Sequence, residues 1–137
     1  MGIVAFSSLS ASDTKRAQVT PQYLDQLLLQ PGITIIDIRT AREWEETGVV
    51  PGSHTLTFFD QEERYDADRF IEELLQISSM DGEIAILCRS GNRSDKVARY
   101  LVKHGFTHVV NVLGGIKQAK ETGLTLQPFS PHRKLKL

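Results

Sequence analysis

The stretch Ile84-Ala85-Ile86-Leu87-Cys88-Arg89-Ser90-Gly91-Asn92-Arg93-Ser94 decides how the chain is built, because it runs from an apolar segment through the only cysteine into a polar loop. Ile84 to Leu87 are uninterrupted apolar residues, the pattern of a strand covered on both faces rather than half exposed. Downstream, Val97, Ala98, Leu101 and Val102 recur at helical spacing, and Gly105 after His104 offers a left-handed stop. The unit reads as strand, tight loop, helix, with Cys88 where the strand ends. Backbone N–H groups of a loop entering a helix have no intrahelical acceptor, so they form a cradle for an anion.

A lone thiol in a soluble chain is commonly an inert, buried hydrophobe. The company kept by Cys88 argues for a nucleophile instead. Loop amides, the positive end of a helix, and the guanidinium groups of Arg89 and Arg93 all favour the thiolate. Gly91 supplies a positive φ where the loop must turn, and Ser90, Asn92 and Ser94 can bond backbone or ligand without bulk. These residue types suit a small anion held in front of the sulfur.

The rest of the chain alternates in the same way. Val19 closes a short strand, Thr20 and Pro21 read as helix cap and first helical residue, and Tyr23, Leu24, Leu27 and Leu28 follow with one-sided spacing until Pro31-Gly32. Ile33 to Ile38 is a second buried strand ending in Asp37 and Arg39, and Ala41 to Glu46 is a helical turn in which Trp44 supplies the apolar surface. A short strand is expected around Thr55 to Thr57, a helix over Asp68 to Ile77, a strand over His108 to Val112, and a last helix between Gly114-Gly115 and Thr122-Gly123. Strands alternating with helices imply an α/β fold: a doubly wound, mostly parallel sheet of about five strands with helices on both faces. Ligands of such sheets bind at the carboxyl edge of the strands, which is where Cys88 lies. Asp37 and Arg39 end at the same edge. Buried charges need partners, so Asp37, Arg39 and Glu43 are read as mutual structural support rather than as reacting groups.

With 137 residues and 40% hydrophobic content, one domain with a real core is the natural count. A formal net charge of −1 argues against general nucleic-acid or membrane-surface binding. The expected divisions are a flexible N-terminal arm over residues 1–18, the domain over 19–127, and a basic C-terminal tail over 128–137. One cysteine excludes an intrachain disulfide framework and a thiolate cluster, and the four histidines show no metal-ligand spacing, so no metal is expected. Ile3 to Phe6 is too short for a signal-peptide core, and a free thiol suits a reducing space. The expected location is cytoplasmic, or periplasmic if an export signal has been removed.

Cys88-Arg-Ser-Gly-Asn-Arg-Ser94 resembles the active loop of the rhodanese family, Cys-x-x-Gly-x-Arg-Ser. Three further family features occur in order: Ile36-Asp-Ile-Arg39 with Glu43, Gly48-Val-Val-Pro-Gly-Ser53, and Asn111-Val-Leu-Gly-Gly-Ile116. The resemblance covers roughly Val19 to Leu126 and implies a rhodanese-like sheet and a sulfurtransferase. Cys88 would take a sulfane sulfur from a small anionic donor such as thiosulfate and pass it to a thiol, a cyanide-like acceptor, or a protein sulfur acceptor. Arg89, Ser90, Gly91, Asn92, Arg93 and Ser94 would hold the donor, and Asp37, Arg39 and Glu43 would support the scaffold. The scheme calls for no cofactor. Two departures stand out: Val49 occupies a place usually held by His, and Ala119 one often held by Trp.

Two other readings use the same thiol. A cysteine-based phosphatase or arsenate reductase also needs a nucleophile in an N–H cradle, but phosphatases of this fold use Cys-x5-Arg. Cys88 to Arg93 encloses four residues, and the loop carries no acid to protonate a leaving alcohol. A non-enzymatic sulfur carrier or partner-docking module is the third reading.

Overall fold

The computed structural model of the chain describes residues 17–129. The expected N-terminal arm and basic C-terminal tail therefore lie almost wholly outside the described residues. In chain order the elements are β1 (Val19–Tyr23), α1 (Leu24–Leu27), β2 (Thr34–Asp37), α2 (Ala41–Thr47), β3 (His54–Thr55), α3 (Ala67–Leu74), β4 (Glu83–Leu87), α4 (Asn92–Lys103), β5 (His108–Leu113) and α5 (Gly115–Glu121). The strands form one sheet in the order β1-β5-β4-β2-β3. Each neighbouring pair is parallel, and the cysteine-bearing β4 lies in the middle.

Alternation along β4 explains why its sequence is apolar without a break. Ile84 and Ile86 face one side of the sheet, where they pack with Phe70 and Leu74 of α3 and Val97, Ala98 and Leu101 of α4. Ala85 and Leu87 face the other side, against Leu24 and Leu27 of α1 and Ile116 and Ala119 of α5. Both faces are thus covered, as a parallel sheet requires. The period of two carries on to Cys88, which joins Ile84 and Ile86 on the α4 side. That parity sets the sulfur beneath the start of α4.

The first segment differs from expectation. Thr20 and Pro21 do not open a helix; both lie within β1, which pairs with β5 from Val19 opposite Val109 to Tyr23 opposite Leu113. A proline is tolerated there because β1 is an edge strand. The helix shrinks to one turn, of which Leu24 and Leu27 are buried while Tyr23 and Leu28 stand 47% and 44% exposed. Strand pairing over five residues has overridden a local capping signal. Elsewhere the boundaries move little: β3 falls at His54–Thr55, and α3 starts at Ala67 behind Asp66, whose side chain caps the Arg69 N–H.

Val49 and Ala119 are both buried parts of the packing. Val49 exchanges two backbone hydrogen bonds with Gln127, at 2.8 and 2.9 Å, which fastens the end of the domain beside α2. Phe129 follows and packs its ring 5.2 Å from that of Trp44. Ala119 sits among the apolar residues under α1 and α5.

Candidate active site at the Cys88 loop

Cys88 directly follows β4 and its side chain is almost fully enclosed, at 1% exposure. The sulfur has apolar neighbours behind it and polar ones in front. The Gly91 N–H donates to Sγ at 3.1 Å and the Ser94 N–H at 3.4 Å, while the thiol donates to Ser94 Oγ at 3.3 Å. Gly91 makes this convergence feasible, since its φ of +105° turns the loop back over the sulfur before α4 begins. Ser94 lies in the first turn of α4, so its amide is one of the donors a helix leaves unpaired.

A second glycine holds the loop from behind. Gly115, at φ +57°, lies so close that a Cβ there would come within 2.4 Å of the Cys88 carbonyl oxygen. The Ile116 N–H donates to Cys88 O at 3.0 Å and the Lys117 N–H to Arg89 O at 2.9 Å. The first turn of α5 thereby binds the backbone of the cysteine loop.

The charged residues divide into two pairs. Arg39 gives Asp37 bonds of 2.9 to 3.2 Å from Nε and Nη2, and also donates from Nη1 to Thr47 Oγ1 and from Nη2 to the Gly48 carbonyl. Both members of this pair are at most 1% exposed. Glu43 does not join them. Its carboxylate takes two bonds from Arg93, at 2.8 and 2.7 Å, and forms a capping box with Thr40 at the start of α2. Burial raises the Glu43 carboxyl, but the bonds from Arg93 and Thr40 outweigh it and hold the pKa down to about 2. In return the bonds to Glu43 raise Arg93 above its ordinary value, with the charges of Glu43, Cys88 and Asp37 adding to the effect.

Arg89, Ser90 and Asn92 are exposed around the loop. In front lies an open cleft of about 690 Å³, to which the loop and α4 contribute Arg89, Arg93 and Lys96 and the segment after β3 contributes Asp60, Glu62 and Glu63. Among the described residues no group of three His, Cys, Asp or Glu side chains could hold a metal ion. No helix among them is long and apolar enough to cross a membrane.

The residues from Cys88 to Ser94 are thus brought together, while Asp37, Arg39 and Glu43 lie in the frame around them. Asn111 was not foreseen as part of the site. It is 7% exposed on β5, and its Oδ1 accepts a 2.5 Å bond from Ser94 Oγ. The signal for it was available: a lone polar residue inside the run His108-Val-Val-Asn-Val-Leu113.

An all-parallel α/β sheet that ends its central strand in a thiol, with the amides of a following helix turned onto the sulfur, defines a class of cysteine-centred α/β domains. The chain belongs to the rhodanese-like family, whose Rhodanese-like domain model matches residues 20–122. It is 27% identical over 111 residues to the thiosulfate sulfurtransferase GlpE of Pseudomonas putida, covering 81% of this chain and 89% of that one. It is 30% identical over 109 residues to the tRNA uridine(34) hydroxylase of Synechococcus elongatus, covering 79% of this chain and 38% of the relative, so it spans well under half of that longer protein. Among solved structures, a rhodanese-like domain protein from Staphylococcus aureus aligns with a TM-score of 0.59 at 26% identity, over 80% of this chain and 99% of that one. The polysulfide-sulfur transferase homodimer of Wolinella succinogenes, at 19% identity and a TM-score of 0.61 over 93% of each chain, shares the fold.

Proposed function

We propose that this chain is a sulfurtransferase that carries a sulfane sulfur on Cys88 as a persulfide. The observation that supports it most is the convergence of the Gly91 and Ser94 N–H groups on Sγ at the head of α4. In the first step the Cys88 thiolate attacks the outer sulfur of a donor such as thiosulfate. A new S–S bond forms, the donor's own S–S bond breaks, and sulfite leaves with the electron pair. The negative charge then rests on the outer sulfur of the persulfide, in front of loop amides that cost nothing to reorganise. A thiol or cyanide-like acceptor attacks that sulfur and Cys88 departs as thiolate. Arg89, exposed at the mouth, draws the anionic donor in, and Arg93 with Glu43 keeps the loop in register. Asp37 and Arg39 act only as scaffold.

The engagement of Arg93 by Glu43 also weakens the phosphatase reading. A phosphate over the sulfur needs a free guanidinium aimed into the loop, and this one has its two terminal nitrogens bonded to a carboxylate. The test is mass spectrometry of the intact chain after incubation with thiosulfate. The chain should gain one sulfur atom and lose it to cyanide or a thiol, and Cys88→Ser should gain none. Failure to load from any sulfane donor, together with hydrolysis of p-nitrophenyl phosphate, would instead establish a phosphatase. Loading without release to small acceptors would favour a carrier that hands sulfur to another protein.

A further inference from the structure

We propose that Asn111 is a positioning residue that holds the Ser94 hydroxyl proton away from Cys88 and so restrains ionisation of the thiol. Asn111 is enclosed on β5, in the last β4–β5 pair opposite Ile86 and in register with Pro21 of β1. Its Nδ2 donates to the Gly91 carbonyl at 3.4 Å and its Oδ1 accepts from Ser94 Oγ. The amide is held in this sense, because turning it over would set Oδ1 against the Gly91 oxygen, two acceptors facing each other.

A serine hydroxyl has one proton to give. With that proton on Asn111, Ser94 can only accept on its sulfur side, and the thiol of Cys88 donates to it there. Once the thiol proton leaves to solvent, the sulfur wants donors. Two backbone amides are in place already. The hydroxyl can join them only by abandoning Asn111 Oδ1, and a buried acceptor left without its donor is costly. The asparagine and the thiolate therefore compete for one proton.

Of the neighbouring charges, Arg93 on α4 is near enough to Cys88 for the two to interact, Arg89 stands exposed in the loop, and the Asp37–Arg39 pair sits at the end of β2. None of these side chains is bonded to Ser94 or Asn111, so replacing Asn111 leaves them in place.

The inference rests on the sulfurtransfer reading only for its bearing on turnover; the ionisation itself is measured by iodoacetamide alkylation of Cys88 against pH. Asn111→Leu should move the midpoint down by about half to one pH unit, a roughly three- to tenfold gain in thiolate below the midpoint. The shift should vanish in a Ser94→Ala background. Asn111→Ala also removes the acceptor and should move the midpoint down in the same way, so it gives the answer if the leucine variant does not fold. An unmoved midpoint, or an equal shift with and without the Ser94 hydroxyl, overturns the proposal. Sulfur loading of the unmodified chain is scored separately: its absence defeats the sulfurtransferase reading, whereas loading with an unmoved Asn111 midpoint defeats this one alone.

Discussion

Arg39 is the bulkiest of the fully buried side chains among the described residues, and its side chain bonds to Asp37, Thr47 and Gly48. Replacing it with alanine would strand the Asp37 carboxylate in the interior, at a cost of about 3–5 kcal/mol. Arg39→Ala should therefore fall sharply in urea midpoint while each molecule that remains folded loads sulfur at the ordinary rate. Urea melts beside mass spectrometry at matched folded concentration make the comparison; intact stability with lost loading would make Arg39 a reacting group. At this scale the sequence discloses what is local: the strand-end thiol, the turn at Gly91 and the small polar residues beside it. It does not disclose which acid each arginine meets. Asp37, two residues before Arg39, and Glu43, four after, are both within reach on paper, yet Glu43 turns to Arg93, fifty residues away in sequence. Partner choice among charges depends on which strand ends come to lie side by side, and that is decided by the order of the sheet.

Between elements, the narrowest contact at the site is that of Gly115 with the Cys88 backbone. Gly115→Ala must push α5 off the loop or the loop out of its turn, because the obstructing atoms are main chain and φ is positive. The expected cost is about 1–3 kcal/mol of stability. Sulfur loading should slow by roughly ten- to a hundredfold through displacement of the thiol, as followed in a loading time course. A variant loading at the original rate would show that α5 does not fix the loop. The helix following the cysteine and the strand before it were readable because period and punctuation agreed. Around β1 they conflicted: a threonine and proline that suit a helix start are drawn into a ladder with β5, whose residues lie some ninety positions later. Local chemistry proposes and the long-range pairing decides, so an edge strand carrying a proline is hard to see before the sheet is known.

Over the whole molecule, the Glu43–Arg93 pair joins α2 to the head of α4 and should leave its mark on acid stability. The Glu43 pKa is depressed from 4.5 to about 2 in the folded chain, so its contribution is complete above 4.5 and is lost as pH falls toward 2. Urea midpoints of the native chain should drop across that window, and Glu43→Gln should be weaker at neutral pH but flatter through it. Parallel curves for the two would remove the pair from the stability of the fold. The sheet has one more implication. Since β4 is flanked by β5 and β2, the backing of the cysteine loop arrives from Asn111, Ile116 and Lys117, all made after it during synthesis. Assembly of parallel strands waits on such distant partners. Under the proposed sulfurtransfer the Cys88 loop is backed only once β5 and α5 have docked, so sulfur uptake would double as a reporter of completed folding.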